Sequence, residues 1–439
     1  MNTFSVVEMA KNRRRAIDHP VEQNNFCYQS GYEAKMNLEH TSAYLPALQQ
    51  PFGCVADITA SFYGFELPSG ARAYYRVRDS EGNLYEANRL MMGMALSAEI
   101  QHIYTCLLAG HPDYVEPQHA IMPSASLVHV WIDNIRYCGS RNLVYNARRR
   151  LEERMRRARV TMTIEPVSDK YEFIGLEWNH TNKTVRVSEK TRAKLPGSIP
   201  DSISAGELEQ LIGRLIWVAG AYQEPLARHW FCLKWSRRKF NALNNKTLLS
   251  SDIVQIPPSA RTSLARWLEL AHHDHHKVVF AKPHGRHATL FTDATLQNWG
   301  AVLVLDDNQI FASGGKFSNT DSLSTKANIS VMETRAVHRA LVSFADKLEK
   351  LSSIDILVDN TSTQYGIHKG LPHADALVDD ITKTWEILIK NNVKANIGRI
   401  ATARNPADEV SRLKAVDIKK VKEAMREDYA FHKRRGFVV

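Results

Sequence analysis

The sequence predicts an α+β chain of several domains that closes in an α/β unit. At 439 residues it exceeds what one core ordinarily serves, so two to four domains are expected. Its first half mixes short apolar strands with helices and many aromatics, and a mainly helical stretch follows to about residue 272. From Thr289 three consecutive strands give way to alternating helix and strand, the order of an α/β domain. A hydrophobic share of 44% with 24% charged residues excludes a disordered chain. The net charge of +10 points to a polyanionic partner, with an anionic membrane surface and acidic proteins as competing readings. No uncharged apolar run approaches the roughly 20 residues of a membrane helix. The opening residues carry "KNRRR" where a secretory leader would be apolar. Cys27, Cys54, Cys106, Cys138 and Cys232 stand singly, which argues for a reducing compartment and against a zinc knuckle. A soluble intracellular protein, cytoplasmic or nuclear, is therefore expected, with no membrane partner.

In chain order, "HVWIDNIRYCG" (129–139) reads as strand, tight polar turn and strand, with Asp133 and Asn134 at the tip. Asn and Asp favour such turns because they tolerate unusual backbone angles. The run "ARRRLEERMRRAR" (147–159) reads as a solvated helix, with nucleic-acid contact as the alternative. Prolines and serines in "TRAKLPGSIPDSIS" (191–204) mark a boundary or a loop. A helix then enters after a serine and places Leu208, Leu211, Ile212, Leu215 and Ile216 on one face. "HHDHH" (272–276) invites a metal reading, but a hydrated helix end explains it and no second ligand cluster stands at a convincing spacing. "FAKPHGRH" (280–287) makes a second boundary.

Beyond it, "ATLFTDA", "GAVLVLD" and "QIFASGGKF" read as strands, followed by a helix with Val337, Leu341, Phe344 and Leu348 on one face. "IDILVDN" is a buried-type strand, and the next helix runs through Leu377, Ile381, Trp385 and Leu388 to a last strand, "ANIGRIATA". Residues 414–439 form a charged tail. Asp293 ends the first of these strands, Glu333 lies in the first turn of the first helix, Asp359 ends the buried strand, and Asp408 begins the closing helical segment. One acid at a strand end means little. Four at the ends of elements sharing a sheet edge repel one another unless a cation neutralises them. A pair of Mg²⁺ ions held by shared carboxylates would do so, and would activate water against a phosphodiester.

"FTDATLQNWGAVL", "NISVMETRAVHRAL", "ILVDNTSTQYGI" and "RNPADEVSRL" resemble, in order and interval, the four signature segments of a retroelement ribonuclease H domain. In that family the carboxylates matching Asp293, Glu333, Asp359 and Asp408 bind two metal ions and cut the RNA strand of an RNA–DNA hybrid. Upstream, "CVADITASFYGFELP" (54–68), "NRLMMGMALSAEIQHI" (88–103), "VWIDNIRYCG" and "YEFIGLEW" (171–178) resemble the palm motifs of reverse transcriptases.

The two resemblances together imply a right-hand polymerase, α+β in class. It has truncated fingers and palm over 1–190, a mainly helical thumb or connection over 191–285, an α/β ribonuclease H-like domain over 286–413 and a basic tail over 414–439. They imply an RNA template, a DNA primer, RNA–DNA hybrids and dNTPs as partners, and two Mg²⁺ per active site, with Mn²⁺ as the substitute ion. Nothing in the sequence points to an oligomeric state.

Nucleotide addition needs one ion to activate the primer 3′-oxygen and another to hold the triphosphate. The resemblance puts Asp57 and Asp133 as the bridging ligands and the Ile58 carbonyl on the triphosphate metal. Phe62 matches the bulky residue that excludes a ribose 2′-hydroxyl; without the resemblance it is an ordinary core aromatic. Gly93 would let backbone approach the template–nucleotide pair. Arg14 matches the triphosphate-contacting arginine, with Lys11 as a looser candidate, in a run otherwise read as a solvated basic patch. Arg214, Arg228, Lys234, Arg237, Arg238 and Lys239 are candidate phosphate contacts, giving salt-dependent affinity without reading sequence.

The chain also departs from the pattern. The usual Tyr-x-Asp-Asp is Trp131-Ile132-Asp133-Asn134, so Asn134 keeps an oxygen for metal or water but loses a charge that hard cations prefer. Polymerases of negative-strand RNA viruses use an Asp-Asn pair at the equivalent turn. The usual Pro-Gln before the glycine is Met91-Met92, and the resemblance implies that several strands of the usual fingers are missing, as in a fragment, a processed piece or an eroded copy. "MGMALSAEI" and "ADEVSR" lean toward DIRS-like tyrosine-recombinase retrotransposons, the VIPER type among them, or else gypsy-like LTR elements. Two alternatives stand beside the full enzyme: a hybrid nuclease whose palm is inert, and a non-catalytic domesticated scaffold that grips nucleic acid through its basic surface.

Overall fold

The computed structural model describes the chain apart from residues 1, 9–12, 34, 37, 79–80, 274–275, 279, 281–284, 319–327, 371–374 and 435–439; at 2–8, 13–19 and 427–434 the backbone alone is described. The architecture mixes helix and sheet, as an α+β chain should. It divides into two compact units, residues 1–194 with 273–278 and residues 195–272 with 279–439. Among the described residues no helix is long and apolar enough to cross a membrane.

The first unit begins with β1 (Asn2–Glu8), β2 (Arg13–His19), α1 (Val21–Gln29), β3 (Phe52–Ile58), α2 (Ser69–Arg72), β4 (Arg76–Arg78), β5 (Leu84–Glu86) and α3 (Ser97–Ala109). It continues through β6 (Val128–Trp131), β7 (Asn134–Gly139), α4 (Arg141–Ala158), β8 (Met162–Ile164), β9 (Lys170–Phe173), β10 (Leu176–Asn179), β11 (Thr184–Val187) and α5 (Glu189–Arg192). Its central sheet has the order β6-β7-β3-β8, every neighbour antiparallel. Period-two alternation turns Cys54, Ala56, Ile58, Val128, Val130, Ile135 and Tyr137 toward a core closed by α3 and α4. In α4, Val144, Ala147 and Leu151 are buried at spacings of three and four while most of its arginines stay in solvent, as a solvated helix requires.

The β9–β10 hairpin is pinned to this sheet at Gly53, because any Cβ there would run into the Tyr171 ring. Tyr171 donates its hydroxyl to His180 Nε2 (2.7 Å), and His180 donates Nδ1–H to the Gln50 carbonyl (2.7 Å).

The second unit starts with β12 (Ser202–Ser204), α6 (Ala205–Ala221), α7 (Trp230–Asn244), β13 (Ile253–Gln255) and α8 (Pro258–His272). Ser204 and Glu207 form a reciprocal capping box at the start of α6, and Leu208, Leu211, Ile212 and Leu215 are buried, with Ile216 partly so. The strand β14 (His276–Lys277) belongs to the first unit, where it pairs with β11. Then come β15 (Arg286–Ala294), β16 (Asn298–Leu305), β17 (Ile310–Lys316), α9 (Ile329–Ser343), α10 (Ala345–Leu348), β18 (Leu351–Val358), α11 (Thr361–Lys369), α12 (Val378–Lys390), β19 (Lys394–Arg399), α13 (Ala407–Ser411) and α14 (Ile418–Arg434).

The five-stranded sheet has the order β17-β16-β15-β18-β19. The first three strands are antiparallel, and β18 and β19 run parallel to β15. Leu290, Leu303, Ile354 and Ile356 pack on Val337, Leu341, Ile381 and Leu388, the helical faces the sequence predicts. On the other side Phe291, Val302 and Leu357 meet Ala407, Val410, Val421 and Ala424. Val421 and Ala424 lie within the stretch set apart as a charged tail; here a 17-residue helix carries them into the core. The helix α11, nine residues directly after Asp359, was also not anticipated as a separate element.

Candidate active site

Strand geometry brings three of the four C-terminal acids together. Asp293 stands one residue before the end of β15, Asp359 directly follows β18, and those strands are parallel neighbours, so both acids reach the same sheet edge. Glu333 projects from the second turn of α9 and not, as the sequence suggests, from the first, because the helix begins at Ile329; α9 packs against β15. One oxygen of each of Asp293, Glu333 and Asp359 lies within 4.8 Å of the others, and these three could hold a metal ion.

The surroundings make this an unrelieved cluster. Asp293 and Glu333 are 5% and 4% exposed. Burial, reinforced by the charges of Asp359 and Asp408, pushes the Asp293 carboxyl up to about 6, against a hydrogen bond from Ser411 that favours the charged form. Burial and the charges of Asp293 and Asp359 push Glu333 up to about 9. Glu333 Oε2 is buried with no hydrogen-bond partner. An orphaned carboxylate oxygen facing two further carboxylates fits a hard divalent cation such as Mg²⁺ or Mn²⁺, which takes oxygen ligands.

Residues that sequence inspection passed over hold this edge in place. Asn405 donates Nδ2–H to the Thr292 carbonyl (2.8 Å) and accepts the Ala407 N–H (3.1 Å), tying the start of α13 to the strand that carries Asp293. Ser411, at the far end of α13, donates to Asp293 Oδ2. The helix sits this close because Gly300, opposite Asp293 in β16, has no side chain; a Cβ there would overlap the Val410–Ser411 backbone. Asn360 caps α11 by accepting the Thr363 N–H (3.0 Å) and reaches Ser330 Oγ at the start of α9 (3.3 Å), which sets Asp359 relative to Glu333. Asp408 stands apart from the group of three: its Oδ1 accepts from Arg412 Nε (3.1 Å) and Nη2 (2.9 Å). An asparagine before a proline and an acid–arginine pair four apart were the available signals for Asn405 and Arg412; Ser411 offered none.

In the first unit, Asp57 on β3 lies opposite Asn134 on β7 in the antiparallel register. Asp133 sits in the two-residue turn between β6 and β7. It is tied to the chain just beyond Asp57, its backbone carbonyl accepting the Ile58 N–H (3.1 Å) and its Oδ2 the Ser61 hydroxyl (3.1 Å). Its Oδ1 accepts the Asn134 amide (2.9 Å). Within this turn the left-handed backbone falls on Ile132, at φ 55°, and not on Asp133 or Asn134. For a β-branched residue that conformation costs about 1–3 kcal/mol.

Phe62 is half-buried and packs with Leu67, Leu90, Met91 and Met94, so it meets the loop that carries Gly93. Gly93 takes φ 98°, a conformation that favours glycine, and Asn24 of α1 clamps the loop from both sides, donating to the Gly93 carbonyl and accepting the Ala95 N–H (2.8 Å each). Arg14 lies on β2 opposite Val7. Lys11 falls outside the described residues. Of the candidate phosphate contacts, Arg228 is engaged by Glu224 (2.9 Å) and Glu386 (2.5 Å), and Lys234 by Asp375 (2.8 Å).

No family model matches the chain, and a search of curated proteins finds no match. Among solved structures it is similar to the foamy viral protease–reverse transcriptase dRH in complex with double-stranded DNA, with TM-score 0.47 and 14% identity, over 92% of this chain and 66% of that one. It is also similar to the foamy viral protease–reverse transcriptase with RNA/DNA hybrid, with TM-score 0.45 and 14% identity, over 92% of this chain and 50% of that one. A third, the same viral protein with double-stranded DNA, has TM-score 0.43 and 13% identity, over 91% of this chain and 77% of that one.

Proposed function

We propose that the chain is an RNA-directed DNA polymerase with ribonuclease H activity, from a retrotransposon of the DIRS/VIPER or gypsy-like kind. It would work on an RNA template, a DNA primer and dNTPs, with two Mg²⁺ per active site. The observation that carries the hydrolytic half is the convergence of Asp293, Glu333 and Asp359 with an orphaned Glu333 oxygen. When bound, divalent cations supply Lewis-acid activation of the attacking oxygen and charge neutralisation at the phosphate. The chain's own groups do the rest. Ser411 and Asn405 fix Asp293, Asn360 sets Asp359 against α9, and Glu333 stays protonated near neutral pH until a cation arrives.

Polymerisation is supported by the placement of Asp57, Asn134 and Asp133 at one sheet end and by Phe62 beside the Gly93 loop. There Asp57 and Asp133, with the Ile58 carbonyl, would hold the ions, and Arg14 would meet the triphosphate. A second reading, a hybrid nuclease with an inert palm, is favoured by one observation: each Asp133 oxygen already accepts a hydrogen bond, from Ser61 and from Asn134.

Primer extension and cleavage of a labelled RNA–DNA hybrid, run side by side with Mg²⁺ and Mn²⁺, separate the readings. Extension lost in Asp57→Asn, with cleavage intact, supports the full enzyme. Cleavage without extension, lost in Asp359→Asn, supports the nuclease alone. Binding without either reaction leaves only a scaffold.

A further inference from the structure

We propose that Arg412 is the built-in counter-ion of the fourth carboxylate, and that it withholds Asp408 from divalent cations until a nucleic-acid phosphate takes the guanidinium instead. This rests on the metal reading of the Asp293–Glu333–Asp359 group.

Three observations carry it. Asp408 is the one of the four acids outside the group whose oxygens converge. Both contacts that Arg412 makes with it fall on one oxygen, Oδ1, from Nε and Nη2. The two side chains also differ in surroundings: that of Asp408 is 19% exposed and that of Arg412 is 58% exposed, so the acid is largely buried while its cation is open to solvent. Asp408 nonetheless lies beside the cluster: the Ser411 hydroxyl that donates to Asp293 Oδ2 also reaches the Asp408 carbonyl (3.0 Å), and the charge of Asp408 is among those that raise Asp293 and Glu333.

The backbone beneath the pair is fixed by Asn405 on the Thr292 carbonyl and by Gly300 under α13. What can change is therefore the side-chain pairing alone. An ion pair exposed to this degree is readily exchanged, and a guanidinium fork suits a phosphate as well as it suits a carboxylate. An incoming backbone phosphate would receive Arg412, bare Asp408 and make room for a second cation at the same moment. The site would then complete itself only on nucleic acid.

The test counts ions, not turnover. The full chain carrying Asp57→Asn and Asp133→Asn, to silence the hairpin, is titrated with Mn²⁺ and followed by electron paramagnetic resonance. Free ions, bound ions and spin-coupled pairs are distinguished by their signals. Without nucleic acid this parent should bind one ion, with no coupled pair. Adding Arg412→Gln should tighten the second ion on the order of tenfold, as expected on removing an adjacent positive charge, and the coupled signal should appear. Arg412→Lys should remain close to the parent. A 2′-O-methyl RNA–DNA hybrid, which resists cleavage, should bring the coupled pair to the parent and change Arg412→Gln little. The inference is overturned if one ion binds but Arg412→Gln leaves the second within twofold of the parent, or if the parent shows a coupled pair on its own. Absence of any bound ion would instead overturn the metal reading of the cluster and this inference with it.

Discussion

Asp133–Asn134 and Asp359–Asn360 are the same dipeptide at the ends of two core strands, yet the asparagine serves the acid in the first and the neighbouring helices in the second. Asn134 spends its amide on Asp133 Oδ1. Asn360 turns to Thr363 and Ser330, and Asp359 joins two other carboxylates. Around Asp133 the fold supplies neutral donors to both carboxylate oxygens. Around Glu333 it supplies like charges and no donor for one oxygen. The difference lies in what each site lacks before a cation comes. The hairpin acid already has a neutral donor on each oxygen and would gain less from a metal; the C-terminal cluster has like charges and an oxygen without a donor, and would gain more.

The sharpest way to break that contrast is Glu333→Gln. Hybrid cleavage should fall by at least about a hundredfold, while the metal-free second unit becomes more stable by about 2 kcal/mol near neutral pH, because a buried acid held to about 9 resists ionisation. Mg²⁺ should raise the melting temperature of the parent and not of the variant. Loss of stability in the variant would mean that the cluster is not strained.

The two units should also answer acid in opposite directions. Glu333 and Asp293 are raised in the fold, so the stability they contribute is full below their unfolded values near 4.5 and 3.8 and is lost as pH climbs to about 9 and about 6. His180 in the first unit is pushed down to about 4 by burial, so its contribution is full above 6.5 and is lost as pH falls toward 4, by about 1.4 kcal/mol per pH unit. Buried His129 is lowered in the same direction. Metal-free hydrogen exchange, corrected for its intrinsic pH dependence, reads each unit separately. His180→Gln should flatten the slope in the first unit and Glu333→Gln the slope in the second; unchanged slopes would remove these groups as the cause.

Smaller effects belong to the hairpin. Asn134→Asp restores a charge and removes a donor from Asp133, so extension at low Mg²⁺ should rise several-fold, as hard cations favour charged oxygen ligands. No gain would mean that the asparagine is not what limits the ion. Ser61→Ala frees Asp133 Oδ2 of one donor, with a stability cost of only about 1 kcal/mol; a lower Mg²⁺ requirement for extension would show that this bond competes with the cation.

Much of this was legible in one dimension. Period-two and 3.6-residue patterns named the strands and helical faces of the second unit, because burial on one face leaves its period in the residue order. Leu290, Leu303, Val337, Leu341 and Ile381 carry that record into a single core. Acids at strand ends marked an edge worth attention for the same reason. α11 and α14 went unanticipated because a nine-residue helix after a motif and a helix of mostly charged residues leave weak periods. At the β6–β7 turn, Asp133 and Asn134 are the residue types that tolerate a left-handed backbone, yet it falls on Ile132.

Residue order alone thus determined most of the strands and amphipathic helices of the second unit and which acids stand near their ends, since propensity and periodicity are local properties. Which of those acids meet was decided only in three dimensions, by the parallel pairing of β15 with β18, by the absence of a side chain at Gly300 and by Arg412 closing on Asp408. Charge repulsion and hydrogen-bond satisfaction act through space between residues far apart in the chain, 118 positions for Ser411 and Asp293, and no local pattern records them.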